Sequence, residues 1–136
     1  MLLRLIAVAL ATSFALGCSS NTGGGGNSIA PQTAALQEVA DLLRAASADG
    51  RAPTKQADLT RFASAYPQGY QAVKSGEVVV IWGAKMAGEG EAGSAPKNII
   101  AYEKKAETEG GWVLLQNGTV KEMTADEFKT APKAKK

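Results

Sequence analysis

The hydrophobic period of this chain changes once, near Gly76, and the change divides a helical half from a strand-rich half. Before it, Leu36, Val39, Ala40, Leu43 and Ala46 recur at three- and four-residue spacing, which predicts a helix over Pro31–Ala48. Pro31 suits a first helical turn, where its missing N–H has no partner to lose, and Gly50 suits the stop. Leu59, Phe62, Ala63 and Tyr66 predict a second helix over Lys55–Tyr66, with Thr54 as N-cap and Pro67 as terminator. Pro67–Ser75 has room for one further helical turn.

Beyond Gly76 the pattern becomes short apolar runs. Glu77–Trp82 is rich in β-branched residues and predicts a central strand, and Asn98–Glu103 predicts a second. Trp112–Gln116 and Thr119–Met123 predict a hairpin through Asn117-Gly118, a pair that favours a type I′ turn. Thr124-Ala125-Asp126-Glu127 spells a capping box that opens a short helix carrying Phe128. The fold expected is α+β: N-terminal helices packed on a small antiparallel sheet of three to four strands, with a short C-terminal helix. A single domain over 31–129 is expected to hold it. The basic tail 130–136 reads as a frayed, solvated end.

The first 30 residues carry a different message. Arg4 precedes an uncharged run from Leu5 to Leu16, 12 residues long, where a membrane-crossing helix needs about 20. Residues 1–17 therefore read as a secretory signal. The stretch Ala15-Leu16-Gly17-Cys18 resembles the lipobox of bacterial lipoproteins, although Ala15 stands where Leu is commoner. That resemblance makes Cys18 the lipid attachment site, its sulfur taking a diacylglycerol group, and implies palmitate-type acyl chains. Ser19 in the next position implies sorting to the outer membrane rather than retention at the inner one. Residues 19–30 hold a Gly/Ser/Asn/Thr-rich linker with an r.m.s. reach of roughly 20 Å. More than one acyl chain holds a protein firmly, so the expected localisation is the cell envelope, on a membrane surface.

Composition then narrows the chemistry. The chain has 15 basic and 13 acidic residues, no histidine, and Cys18 as its one cysteine. The balanced charge argues against nucleic acid, which wants a clustered basic face. Without histidine the commonest general base, the usual triads and most zinc sites are gone. No catalytic residue, cofactor site or metal site emerges, and the reading is of a protein that is not an enzyme.

Three motifs have a sharper and a plainer reading. Gly88-Glu89-Gly90-Glu91-Ala92-Gly93 matches G-x-G-x-x-G, but Pro96 and the strand at Asn98 leave no room for the helix a dinucleotide site needs. It reads as a mobile loop between strands. Trp82, Trp112, Tyr66, Tyr70 and Tyr102 are able to build a glycan-stacking platform, yet aromatics at such positions more often fill the core. Lys136 invites comparison with the murein lipoprotein, whose terminal lysine joins peptidoglycan.

The stretch Ile99–Phe128 is similar to the C-terminal element of the prepilin-type H-X9-DG proteins. Aligning Asn117-Gly118 with the Asp-Gly of that motif puts Glu107 in the place of its histidine and Asn117 in the place of its aspartate. The similarity implies shared architecture with pseudopilin heads and a role beside a pilus-like or type II secretion machine. The primary expectation is a non-catalytic envelope lipoprotein that binds a protein or glycan partner near its membrane. Loop Ala84–Lys97 is its expected contact surface.

Overall fold

The computed structural model describes residues 31–88, 90, 91 and 93–136. Residues 1–30, which include the stretches read as signal and linker and Cys18, lie outside the described residues. The architecture is α+β: three α-helices and two short 3-10 helices accompany a four-stranded antiparallel sheet.

Helix α1 spans Pro31–Ala46 and buries Leu36, Val39, Ala40, Leu42 and Leu43. The segment after it departs from expectation. Gln56–Phe62 is a 3-10 helix rather than an α-helix, and three residues per turn keep Leu59 and Phe62 on one side. Thr54 does not cap it. The Asp58 carboxylate instead accepts hydrogen bonds from Thr54 N (2.8 Å), Thr54 Oγ1 (3.1 Å) and Lys55 N (3.2 Å). Those bonds, led by the Thr54 amide, hold the Asp58 carboxyl below its ordinary range.

Pro67–Ser75 forms a complete helix, α2, rather than a single turn, and ends at Gly76 in the left-handed conformation (φ +79°). The helix α1 accounts for its extent. A Cβ at Gly69 would lie 2.8 Å from the backbone C of Glu38 and the N of Val39, so the two helices touch backbone to backbone. Glu38 Oε2 accepts the Gly69 amide at 2.9 Å. Packing thus outweighs the low helix propensity of glycine.

The strands run in sequence order: β1 (Val78–Val80), β2 (Ile99–Glu103), β3 (Gly111–Leu115) and β4 (Val120–Met123). The Glu77–Trp82 run was expected to be central, but it supplies an edge strand of three residues. A meander in chain order puts its first strand at an edge, and Gly83 (φ +83°) turns the chain away soon after. The central strands are β2 and β3, whose residues are buried on both faces. A bulge at Ile100, between the pairs Ile99–Leu115 and Ala101–Leu114, sets Ile100 and Ala101 into the same core. The β3–β4 turn is also not the two-residue type I′ form. Gly118 N bonds Leu115 O at 2.9 Å and Leu115 N bonds Thr119 O at 2.9 Å, which makes a three-residue loop with Gly118 at φ +88°.

The core lies on both sides of the sheet. The helices α1 and α2 cover one face, where Leu36, Leu43, Leu59, Val80, Ile100 and Leu114 meet. The opposite face packs Ile99, Ala106, Val113, Leu115, Met123 and Phe128. Helix α3 (Ala125–Thr130) covers it, and its capping box forms as the sequence predicts. Glu127 N bonds Thr124 Oγ1 (3.2 Å) and Thr124 N bonds Glu127 Oε2 (2.8 Å).

The tail is not a frayed end. Ile99 N bonds Pro132 O (2.9 Å), Ala134 N bonds Ile99 O (2.8 Å), and Lys133 pairs in parallel with Ile99. Ala134 enters the first core at 6% exposure. Lys133 Nζ sits 4.2 Å over the Phe128 ring and donates to the carbonyls of Phe128 and Ala131. An ammonium with carbonyls and a ring to face has reason to stay, so the domain extends through this segment.

Candidate functional site

The two ends of the sheet differ. Pro31, where α1 begins, shares a cleft of about 660 Å³ with Gly76, Val78, Glu103 and Lys104. Glu103 is occupied there by structural work: its Oε2 accepts Trp112 N (2.8 Å) and meets Lys105 Nζ (3.4 Å). At the other end of α1, Arg44 Nε donates to Ala87 O (3.3 Å), while its NH1 pairs with Asp41 (2.9 Å). That end gathers the β3–β4 turn, the loop after β1 and the C-terminal segment.

Gln116 ties these pieces together. Its carbonyl accepts Ala87 N (2.8 Å), its amide donates to Asn98 O (2.9 Å), and its side-chain Nε2 donates to Lys85 O (2.9 Å). The first part of loop Ala84–Lys97, expected as contact surface, is therefore largely core: Ala84, Met86 and Ala87 are buried. Gly83 N bonds Pro53 O (2.9 Å), which brings Arg51 and Pro53 alongside. The stem of Lys136 lies across Gly83, where an added Cβ would come within 3.1 Å of its Cγ.

The result is an end rich in cations outside ion pairs. Arg51, Lys85, Lys97, Lys135 and Lys136 are exposed, and none of them joins an ion pair among the described residues. Of the nearby carboxylates, Asp41 pairs with Arg44 and Asp49 with Arg61 (3.6 Å), while Glu91 Oε2 accepts Gly88 N (3.1 Å) and Asp58, in a cleft with Arg51, accepts Thr54 N (2.8 Å). Trp82, half-buried, precedes Gly83 at the same end.

The other residues singled out in the sequence are dispersed. Tyr66, Tyr70, Trp82 and Trp112 pack against the first core, while Tyr102 lies on the opposite face against Phe128 (centroids 4.7 Å apart). They form no common platform. Glu107 closes a 3-10 turn (Lys104–Glu107) before β3 and accepts a hydrogen bond from the Tyr102 hydroxyl (2.7 Å), whereas Asn117 sits beyond the far end of β3. The structure thus separates the two positions that the H-X9-DG resemblance singles out. Desolvation, and then Glu107, push the Tyr102 hydroxyl up to about 12. Among the described residues no cluster of three or more potential metal ligands occurs, and no helix is long and apolar enough to cross a membrane.

Sequence reading missed the basic end because its members are scattered over 86 positions, from Arg51 to Lys136. The one available signal was Ala134, a small apolar residue amid the tail lysines. Compared with known proteins, the chain matches no family model, no curated protein and no solved structure.

Proposed function

We propose that this protein is a lipid-anchored envelope protein, held by Cys18 on a membrane surface, whose α+β domain binds a partner without catalysis. The observation that carries the reading is the run Ala15-Leu16-Gly17-Cys18 after a 12-residue uncharged stretch, followed by a glycine-rich leash. A lone thiol in an exported chain needs an occupant, and acylation provides one. The contact surface is the end that gathers the outer part of loop Ala84–Lys97 and the C-terminal segment. It stands at the far end of α1 from Pro31, the residue nearest the leash. Ser19 favours the outer membrane.

Mass spectrometry of the protein from its native membrane, beside a Cys18→Ala variant, tests the anchor. Acyl mass on the wild type alone is the expected result. Mature protein with an unmodified Cys18 would overturn it. A second reading is accessory service to a pilus-like secretion machine. Its support is the similarity of Ile99–Phe128 to the H-X9-DG element, an order of strand, hairpin and capped helix. Location of the gene beside pseudopilin genes is its expected signature, and an isolated locus counts against it.

A further inference from the structure

Five cations on three separate stretches of chain meet at one end of this molecule, and the backbone beneath them is fixed. Gln116 joins Lys85–Ala87 to Asn98, the residue after Lys97. The bonds at Ile99 fix Pro132–Ala134, with Lys135 next in the chain. The Gly83–Pro53 bond and the stem of Lys136 close the group around Arg51. Like charges so gathered cost stability unless something answers them. Asp41 and Asp49 are paired with Arg44 and Arg61, and Asp58 and Glu91, hydrogen-bonded to amides, offset the cations only in part. The opposite end, by contrast, mixes Glu77, Glu103 and Glu109 with Lys104 and Lys105.

We propose that Arg51, Lys85, Lys97, Lys135 and Lys136, with Trp82 among them, form a binding surface for an anionic glycan, a sugar polymer bearing carboxylate or phosphate groups. Lysines are flexible point charges and suit acidic groups repeated along a polymer better than one fixed ligand. Trp82 packs against the first core but is only partly buried, so its exposed part adds apolar surface for a sugar face at the same end. No large aliphatic side chain among Arg51–Thr54, Gly83–Gly88 or Pro132–Lys136 is fully exposed for insertion, so a bilayer would be met here through charge alone. The surface also faces away from the end of α1 that receives the leash. The inference rests on the tethered-module reading only for its choice of an envelope polymer. The surface itself is independent of Cys18.

The test uses the full mature chain and its Cys18→Ala variant, with polygalacturonate as the carboxylate polymer and a phosphorylated mannan as the phosphate polymer. Neutral dextran, duplex DNA and phosphatidylglycerol vesicles serve as competitors. Retention on one or both acidic polymers, weakening with added salt, is expected for wild type and for Cys18→Ala alike. Joint replacement Lys85→Gln, Lys97→Gln, Lys135→Gln and Lys136→Gln is expected to weaken retention about tenfold, from several contacts of a few tenths of a kcal/mol each. Lys74→Gln with Lys104→Gln, at the other end, leaves it unchanged. Circular dichroism checks that each variant is folded. No retention on either acidic polymer, an equal loss in the Lys74/Lys104 variant, or equal binding to DNA or vesicles each overturns the proposal. Acylation of Cys18 is read separately, so an anchored protein without glycan binding refutes this surface and leaves the anchor standing.

Discussion

At Gly69 a single missing side chain sets the distance between two helices. Its Cβ position lies 2.8 Å from the α1 backbone, which has no rotamer with which to yield. Gly69→Ala raises helix propensity, yet overpacking outweighs that gain, and a loss of about 1–3 kcal/mol in urea unfolding is expected. An unchanged midpoint would mean the helices separate freely. Tyr102 sets a second residue-scale expectation. Its hydroxyl ionises at about 12, above the ordinary 10, because desolvation favours the neutral form and the Glu107 carboxylate accepts its hydrogen bond. The folded state therefore holds this proton where the unfolded chain releases it. Stability from this source is complete below pH 10 and is lost as the pH rises through about 12. Ultraviolet titration should show the Tyr102 hydroxyl ionising above the ordinary tyrosine range, and Glu107→Gln should bring it down.

Among the elements, the C-terminal segment shows best how tertiary structure overrides local pattern. Pro132-Lys133-Ala134-Lys135 has neither periodicity nor apolar bulk, so nothing local marks it as ordered. Two backbone hydrogen bonds at Ile99 and the burial of Ala134 hold it nonetheless. Ala134→Asp should cost about 2–3 kcal/mol by burying an unpaired carboxylate, limited by the ease with which the segment undocks. Lys135→Asp, one residue away and exposed, should change stability by less than about 0.5 kcal/mol. Thermal melts of the pair distinguish a docked segment from a solvated one.

Elements with local causes were legible: α1 from its stripe, α3 from its capping box, and β2–β4 from their short apolar runs. The 3-10 helix and full-length α2 were not, because Asp58 and Gly69 act through particular contacts rather than through propensity. The three-residue form of the β3–β4 loop escaped for a related reason, since Asn-Gly serves more than one hairpin geometry.

Across the whole molecule, a four-stranded meander carries a core on each face, and the central strands contribute to both. Alternation along β3 sends Leu114 one way and Val113 and Leu115 the other. That sharing makes the fold larger than one helical layer on one sheet, and a sequence that alternates only briefly hides it. The proposed glycan surface also exists only at this scale, since no two of its three stretches adjoin in sequence.

The docked C-terminal segment also bears on aggregation. Ile99-Ile100-Ala101 is the kind of uncharged, β-prone run that adds strand upon strand when its edge is bare. Here β3 occupies one edge, while β1 covers Ala101–Glu103 on the other and the segment around Lys133 takes Ile99. At the sheet's far side, β4 meets solvent with Lys121 and Glu122, charges that discourage another strand. Copies crowded together would thus meet at β4 through a charged rim and find Ile99–Ala101 already paired on both sides.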